Sequence, residues 1–170
     1  YMTLLRAMPN ILAKHPDAKL VIIGRGHMKS RLMKEAKKLS ISDSVFIESG
    51  MSFDDLAQHF RSADLVVYPS YYEGQGLIPL ESMSSGTPVV TVDMAPLTEM
   101  VDDTVGGLFE SGNSQDLAKT VNNMLSDAQG RSMKAEAGRK LVLSKYTYEH
   151  NANDFLQIYQ SILNNHSKSS

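Results

Sequence analysis

Short, continuously apolar runs alternate with segments of helical periodicity, and this alternation constrains the fold more than any other feature. The runs lie at residues 19–24, 44–48, 64–68 and 88–92, with a weaker run at 106–110. Because apolar residues follow one another instead of alternating with polar ones, each run predicts a strand buried on both faces. Helices between the strands supply right-handed crossovers between parallel neighbours. The pattern therefore predicts an α/β fold, a Rossmann-like parallel sheet sandwiched by helices.

The helical segments complete this architecture and fill the end of the chain. They are predicted at residues 3–14, 28–39, 53–62, 77–85, 96–101, 115–126, 129–145 and 148–163. Ser52, followed three residues later by Asp55, is typical of a helix start and predicts the helix that begins at Phe53. Without repeats or linkers, residues 1–165 are predicted to form one domain, and residues 166–170 a frayed tail.

Composition excludes several classes of function. The chain has no cysteine, which rules out a disulfide framework, a thiolate metal site and a cysteine nucleophile. Lys+Arg 17 nearly balance Asp+Glu 19, for a net charge of −2. Because nucleic-acid-binding domains usually carry a basic surplus, we expect no nucleic-acid partner. The apolar runs are too short to span a bilayer. We therefore expect a cytoplasmic protein, either in solution or peripheral at a membrane.

Basic residues are concentrated on the helix predicted after the first strand. They are Arg25, Lys29, Arg31, Lys34, Lys37 and Lys38, and only Glu35 opposes them. A solvated amphipathic face explains such a run without any ligand. The alternative is that this face is attracted to anionic lipid headgroups, which predicts a peripheral contact with an anionic membrane.

Residues 62–118 show the opposite charge pattern. This stretch contains no Lys or Arg and nine Asp and Glu. An anion bound here must be held by backbone N–H groups and helix N-termini, or by cations from elsewhere in the chain.

The loop at residues 69–76 is the most informative part of this stretch. It leaves a predicted buried strand, contains Gly74 and Gly76, and enters a helix at Leu77. The two glycines are expected to adopt positive φ and to let the backbone approach a ligand closely. The free N–H groups at the helix start favour a phosphate. Ligands of parallel α/β sheets bind beyond the carboxyl ends of the strands. The loops at 24–27, 49–52, 69–77 and 93–96 are therefore the candidate site.

Two carboxylates flank this helix start. Glu73 lies before the helix, and Glu81 lies in its second turn. A carboxylate can accept two hydrogen bonds and suits a vicinal diol such as that of a ribose or a hexose. The pair favours a nucleotide sugar, with one acid for each sugar ring. The alternative is that both are ordinary acids near a helix start.

The segment Glu73-Gly-Gln-Gly-Leu-Ile-Pro-Leu-Glu81 resembles the Glu, seven residues, Glu motif of the family 4 (group 1) retaining glycosyltransferases. Further segments resemble that family in the same order: Lys19 to Gly26, Ala63 to Ser70, Ser85 to Val90 and Gly106 to Phe109. Each segment alone is weak, because short glycine motifs are common. Together they extend the resemblance from about Thr3 to Leu163.

This resemblance implies a GT-B enzyme, in which two Rossmann-like domains face each other across a cleft. The chain resembles the C-terminal domain, which holds the nucleotide-sugar donor. By position, Glu73 is implied as the catalytic-site residue that binds hydroxyls of the transferred sugar, and Glu81 as the residue that binds the ribose. The other implied donor contacts are Gly74, Gln75, Gly76 and Leu77 at the sugar and diphosphate, Gly50 and Met51 at the base, and Arg25 near the phosphates.

The resemblance also implies retaining sugar transfer without a metal or other cofactor. In the family, the Arg and Lys that clamp the diphosphate lie just upstream of the first helix, and Tyr1 begins after that point. We therefore expect a part of a longer protein that lacks the first strand of its domain and is inactive without its N-terminal domain.

The chain departs from the family pattern at two places. Gln75 stands where the family usually has Phe or another hydrophobic residue, and the loop at 94–99 lacks both glycines of the Gly-Gly-x-Pro-Glu pattern. Two other functions therefore remain open. One is a non-catalytic nucleotide-sugar-binding or regulatory subunit, and the other is a GT-B sugar-nucleotide epimerase.

Overall fold

Strands and helices alternate in the predicted order in the computed structural model, which describes residues 1–167, with side chains for residues 1–164. The strands are β1 (Leu20–Ile23), β2 (Val45–Glu48), β3 (Val66–Tyr68), β4 (Val89–Val92) and β5 (Gly106–Phe109). The helices are α1 (Met2–Leu12), α2 (Lys29–Lys38), α3 (Phe53–Ser62), α4 (Leu77–Ser84), α5 (Ser114–Ser126), α6 (Ala128–Lys145) and α7 (Tyr148–Ser167). Two single turns of 3₁₀-helix lie at Ser42–Ser44 and Leu97–Glu99.

All strand pairs are parallel, but their hydrogen bonds form two sheets instead of the expected single one. β1 pairs with β2, and β3, β4 and β5 pair in that order. The predicted α/β class is confirmed. The single sheet is not, because no described segment pairs with the second edge of β1 or of β3. Val21 of β1 is 39% exposed, whereas every residue of β4 is buried.

One hydrophobic core joins the two sheets. Helix α1 packs against α5 and α2, and Leu5 and Ile11 on its inner face are buried. The same cluster contains Ile22 of β1 and Val90 of β4, so it reaches both sheets. The sheets therefore belong to one packed body although no ladder connects them.

A second cluster covers the opposite face of the three-stranded sheet. It includes Met83 of α4, Val89 of β4 and Val142 of α6. Gly138 lets α6 approach α4 closely, since a Cβ built there would lie 3.0 Å from Met83 Cγ. The three-stranded sheet is thus covered on both faces, as its apolar runs predict.

Helix boundaries agree closely with the sequence except at two places: the predicted helix at 96–101 is only a 3₁₀ turn at Leu97–Glu99, and the last helix is longer than predicted. At α3 the Ser52 hydroxyl accepts from the Asp55 N–H at 3.1 Å, and the Ser52 N–H donates to the Asp55 carboxylate at 3.2 Å, which confirms the predicted start. The predicted end of the last helix at Leu163 is wrong, because α7 continues to Ser167. No Gly or Pro follows Tyr148 to stop the helix. Residues 168–170 lie outside the described residues. Within the described residues, no helix is both long and apolar enough to cross a bilayer.

Candidate functional site

The turn from β3 into α4 depends on Gly76. This residue precedes α4 with φ +83° and ψ 51°, a left-handed conformation that strongly favours glycine. A Cβ built on Gly76 would lie 2.8 Å from Leu97 Cδ2 and 3.3 Å from Met100 Cε. The expected positive φ is confirmed for Gly76. It is wrong for Gly74, whose φ is not positive and whose Cβ position has no atom within 4 Å. The space around the Cβ position of Gly74 is open, and the backbone at this residue is not left-handed.

Glu73 folds back onto its own loop. Its Oε1 accepts from the N–H groups of Gly74 at 3.1 Å and Gln75 at 3.5 Å, while Oε2 accepts from the Tyr68 hydroxyl. These bonds, and the one from Tyr68 most of all, hold the pKa of Glu73 below its usual value. The N–H groups of Gly74 and Gln75, which were expected to face a ligand, therefore bind Glu73 in this structure.

Tyr68 is a site residue that the sequence analysis missed. It is the last residue of β3 and is half-buried, with its hydroxyl on Glu73. Burial, followed by the hydrogen bond to Glu73, raises the pKa of Tyr68 to about 12. The sequence feature that could have identified Tyr68 is its position at the carboxyl end of a predicted strand, just before the candidate loop. Tyr68 orients the Glu73 carboxylate.

The first turn of α4 presents free donors. The N–H groups of Leu77 and Ile78 make no hydrogen bond within the described part of the chain. The Leu77 side chain is 57% exposed, so solvent reaches this helix start. An anion at this point would meet two N–H groups and the positive end of the helix dipole.

Glu81 contrasts with Glu73. It is exposed on α4, and its carboxylate forms no hydrogen bond or ion pair with any described residue. Partial burial of the carboxylate raises the pKa of Glu81. Of the two carboxylates, Glu73 is engaged within its loop and Glu81 is free for a ligand.

The loops after β1 and β2 form a second group of predicted site residues. The Gly24 N–H donates to the Glu48 carbonyl at 3.0 Å and ties the two loops together. Gly50 has φ +79°, and Nη2 of Arg25 lies 4.0 Å from its Cβ position. Met51 follows and is half-buried. No hydrogen bond or ion pair among the described residues joins this group to the Glu73 loop.

Helix α1 contacts the Glu73 loop directly. The hydroxyl groups of Thr3 and Tyr71 lie 2.5 Å apart and are hydrogen-bonded. This bond fixes the first turn of α1 beside the loop. The neighbouring Tyr72 is 89% exposed and projects into solvent.

One cavity of the molecule lies apart from these loops. A cavity of about 420 Å³ lies between β5, α5 and α6, and it is lined in part by Gly106, Lys119 and Arg131. None of its lining residues belongs to the candidate site. Across the described residues, no three or more His, Cys, Asp or Glu side chains are grouped so that they could hold a metal ion.

Comparison with known proteins identifies the family. The family model for glycosyl transferases group 1 matches residues 1–141. The chain belongs to the group 1 glycosyltransferases. An uncharacterized glycosyltransferase of Methanocaldococcus jannaschii is 35% identical over 158 residues, covering 92% of this chain and 40% of that protein. A D-inositol 3-phosphate glycosyltransferase of Stackebrandtia nassauensis is 33% identical over 166 residues, covering 92% of this chain and 37% of that protein. This group 1 glycosyltransferase chain thus spans 37–40% of the length of these two relatives.

Solved structures confirm the fold of this group 1 glycosyltransferase chain. The C-terminal domain of a group 1 family glycosyl transferase from Francisella tularensis matches with a TM-score of 0.79 at 28% identity, over 86% of this chain and 79% of that chain. TarM of S. aureus matches with a TM-score of 0.83 at 25% identity, over 92% of this chain and 32% of that chain. The predicted resemblance to a GT-B C-terminal domain is therefore confirmed.

Gly76→Ala should destabilise this group 1 glycosyltransferase chain by about 2 kcal/mol, because a left-handed φ costs a residue with a Cβ about 1–2 kcal/mol and the new methyl group displaces Leu97. Urea unfolding followed by circular dichroism measures the loss. Gly74→Ala is the matched control and should change the free energy of unfolding by less than about 0.5 kcal/mol. Equal losses in both variants would contradict the assigned turn.

One tyrosine should ionise only near pH 12 when tyrosinate absorbance is titrated, because the pKa of Tyr68 is raised to about 12. A raised pKa means that the fold favours the neutral phenol. The contribution of Tyr68 to the free energy of unfolding is complete below the pKa of about 10 that tyrosine has in the unfolded chain. It is lost as the pH rises towards 12.

Substitutions show which tyrosine is responsible for this late ionisation. Tyr68→Phe should remove it, and Glu73→Gln should move it to lower pH, because the carboxylate is one cause of the raised pKa. Tyr72→Phe, in an exposed side chain of the same loop, should leave it unchanged. A late ionisation that survives Tyr68→Phe would rule out the assignment.

Proposed function

We propose that the chain is the donor-binding domain of a glycosyltransferase, which transfers a sugar from a nucleotide diphosphate sugar to an acceptor with retention of anomeric configuration. The observation that carries the proposal is the pair Glu73 and Glu81 on either side of the open start of α4. Two further findings support it. The relatives are glycosyltransferases by name. The matching TarM structure contains UDP.

In this proposal the diphosphate binds at the first turn of α4. The free N–H groups of Leu77 and Ile78 stabilise the charge that develops on the leaving diphosphate, and they are already oriented by the helix. Loss of one such donor typically raises a barrier by about 3 kcal/mol. Because residues 62–118 contain no Lys or Arg, Arg25 from the loop after β1 supplies a cation near the phosphates. No metal is part of this proposal.

The two carboxylates bind the two sugars. Glu81, which has no partner among the described residues, accepts hydrogen bonds from the ribose hydroxyls. Glu73 accepts hydrogen bonds from hydroxyls of the transferred sugar, with its orientation fixed by Tyr68 and by the loop N–H groups. With its pKa lowered, Glu73 is ionised at neutral pH, so both of its oxygens can accept hydrogen bonds. Gly50 and Met51 border the base.

We infer that a longer protein completes the enzyme. The chain spans 37–40% of the length of its relatives, and β1 and β3 each have an edge that no described strand pairs with. An upstream strand between β1 and β3 would join the two sheets. The N-terminal domain would bind the acceptor and add the remaining cations. The leaving phosphate, not a protein base, assists deprotonation of the acceptor. The 170-residue chain alone is therefore proposed to be inactive in transfer.

Thermal unfolding of the chain with UDP, GDP, ADP and their sugars tests donor binding. A ligand at about 100 times its dissociation constant stabilises the native state by about 2.7 kcal/mol. For a domain of this size that corresponds to a rise in Tm of about 5–10 °C. Glu81→Gln should reduce the rise, whereas Glu136→Gln, which removes an exposed acid on α6, should preserve it. Failure of every nucleotide to raise Tm would contradict the proposal.

A binding-only subunit is the second candidate, favoured by Gln75 and by the closure of Glu73 onto its own loop. Glu73→Gln in the full-length protein separates the two candidates. If the protein is a transferase, loss of a charged hydrogen bond to the sugar should lower kcat/KM about 10- to 100-fold. Tyr72→Phe is the control in the same loop. Transfer at the unaltered rate after Glu73→Gln would favour the binding-only subunit.

A further inference from the structure

The outer face of α2 is uniformly cationic. With 3.6 residues per turn, Arg31, Lys34, Lys37 and Lys38 fall within an arc of about 120°. This arc lies opposite Leu32 and Ala36, which are buried in the core. All four basic side chains are exposed, and none forms a hydrogen bond or ion pair with residues whose side chains are described. We call these four residues the α2 cationic face.

The only acid on α2 is already paired with a basic residue of another helix. Glu35 lies at the margin of the helix surface and pairs with Arg6 of α1 at 3.3 Å. Its side chain is much less exposed than those of the four cations. Glu35 lies one helical turn from Arg31 and Lys38, but it is already paired with Arg6 and is therefore less able to neutralise the α2 cationic face.

Charge is also distributed unevenly along the sequence. Residues 1–61 contain ten Lys and Arg against six Asp and Glu, whereas residues 62–118 contain none against nine. Helix α2 packs on β2 and α1, all of which come from the first of these stretches. The acidic stretch forms the three-stranded sheet and α4. The basic surplus of residues 1–61 thus includes α2 and adds to the attraction of this helix to an anionic surface.

The chemistry of α2 favours a lipid surface over a nucleic acid or a protein. None of the exposed large hydrophobic side chains of the described residues lies on α2. Aromatic side chains for stacking on bases are therefore missing, as are the aromatic and apolar anchors that dominate specific protein interfaces. Flexible, unpaired Lys and Arg side chains on a convex helix are sufficient for adsorption to a surface of anionic headgroups.

We propose that the α2 cationic face is a docking surface for anionic membranes. Binding is electrostatic and reversible, with the headgroups as the only ligand and no insertion into the hydrocarbon. Each basic residue near an anionic bilayer contributes roughly a fivefold increase in partitioning. The proposal requires no transfer activity, so it can fail or succeed independently of the donor site.

Vesicle co-sedimentation of the 170-residue chain tests the proposal. At low salt we expect binding to phosphatidylglycerol vesicles and none to phosphatidylcholine vesicles, because only the former are anionic. The bound fraction should fall steeply as salt increases. Lys34→Gln combined with Lys38→Gln should lower the partition coefficient about 25-fold.

A matched pair of substitutions controls for total charge. Lys140→Gln combined with Lys145→Gln removes two exposed lysines from α6 and changes the net charge equally, so partitioning should change by less than about twofold. The Tm of both variants confirms that they fold, and the salt dependence of the unaltered chain tests the electrostatics without any variant. The proposal would be overturned if both pairs of substitutions lowered partitioning equally. It would also be overturned by equal binding to both lipids or by no binding to phosphatidylglycerol. Binding to a single-stranded RNA but not to vesicles would overturn it as well.

Discussion

Packing of α1 holds this domain together. No hydrogen-bonded ladder connects β1 and β2 to β3, β4 and β5, so the two sheets are joined through side chains alone. Helix α1 does this by packing on α5 and α2, with Leu5 and Ile11 in the cluster that contains Ile22 and Val90. Because burial of apolar area drives such contacts, the relative position of the sheets depends on the fit of these side chains and not on backbone pairing.

The same helix also positions the candidate site. The hydrogen bond between the hydroxyl groups of Thr3 and Tyr71 fixes the loop that carries Glu73, and Gly76 then turns that loop into α4 against Leu97. The result is an asymmetric pair of carboxylates. Glu73 is held by Tyr68 and the loop N–H groups, whereas Glu81 has no partner among the described residues. A carboxylate fixed by hydrogen bonds is suited to orienting a reacting sugar. A carboxylate without such bonds is suited to binding a ligand that does not react.

Features that depend on neighbouring residues could be predicted from the sequence. The start of α3 requires only Ser52 and Asp55, three residues apart, and β1 requires only the apolar run at 20–23. The family could be predicted too, because several short segments, Glu73 to Glu81 among them, resemble it in the same order along the chain. These signals are complete within a few positions of the chain, so no knowledge of the rest of the fold is needed to interpret them.

Features that depend on the path of the chain could not be predicted. The hydrogen bond from Tyr68 to Glu73 forms only because the loop reverses direction, and the bond between Thr3 and Tyr71 joins residues 68 positions apart. The φ of Gly74 is likewise set by how the loop closes, not by the residue type. The end of α7 was placed too early, because polar residues after Leu163 resemble a terminus although no Gly or Pro stops the helix.

The open edges of β1 and β3 have a consequence for the chain in concentrated solution. An unpaired strand edge offers a row of N–H and C=O groups to any extended segment, including one from a second molecule. Val21 adds a partly exposed apolar side chain next to such an edge. Neither β1 nor β3 contains a proline or a charged residue that would discourage this pairing. Pairing of these strand edges is therefore one route to self-association of the isolated domain.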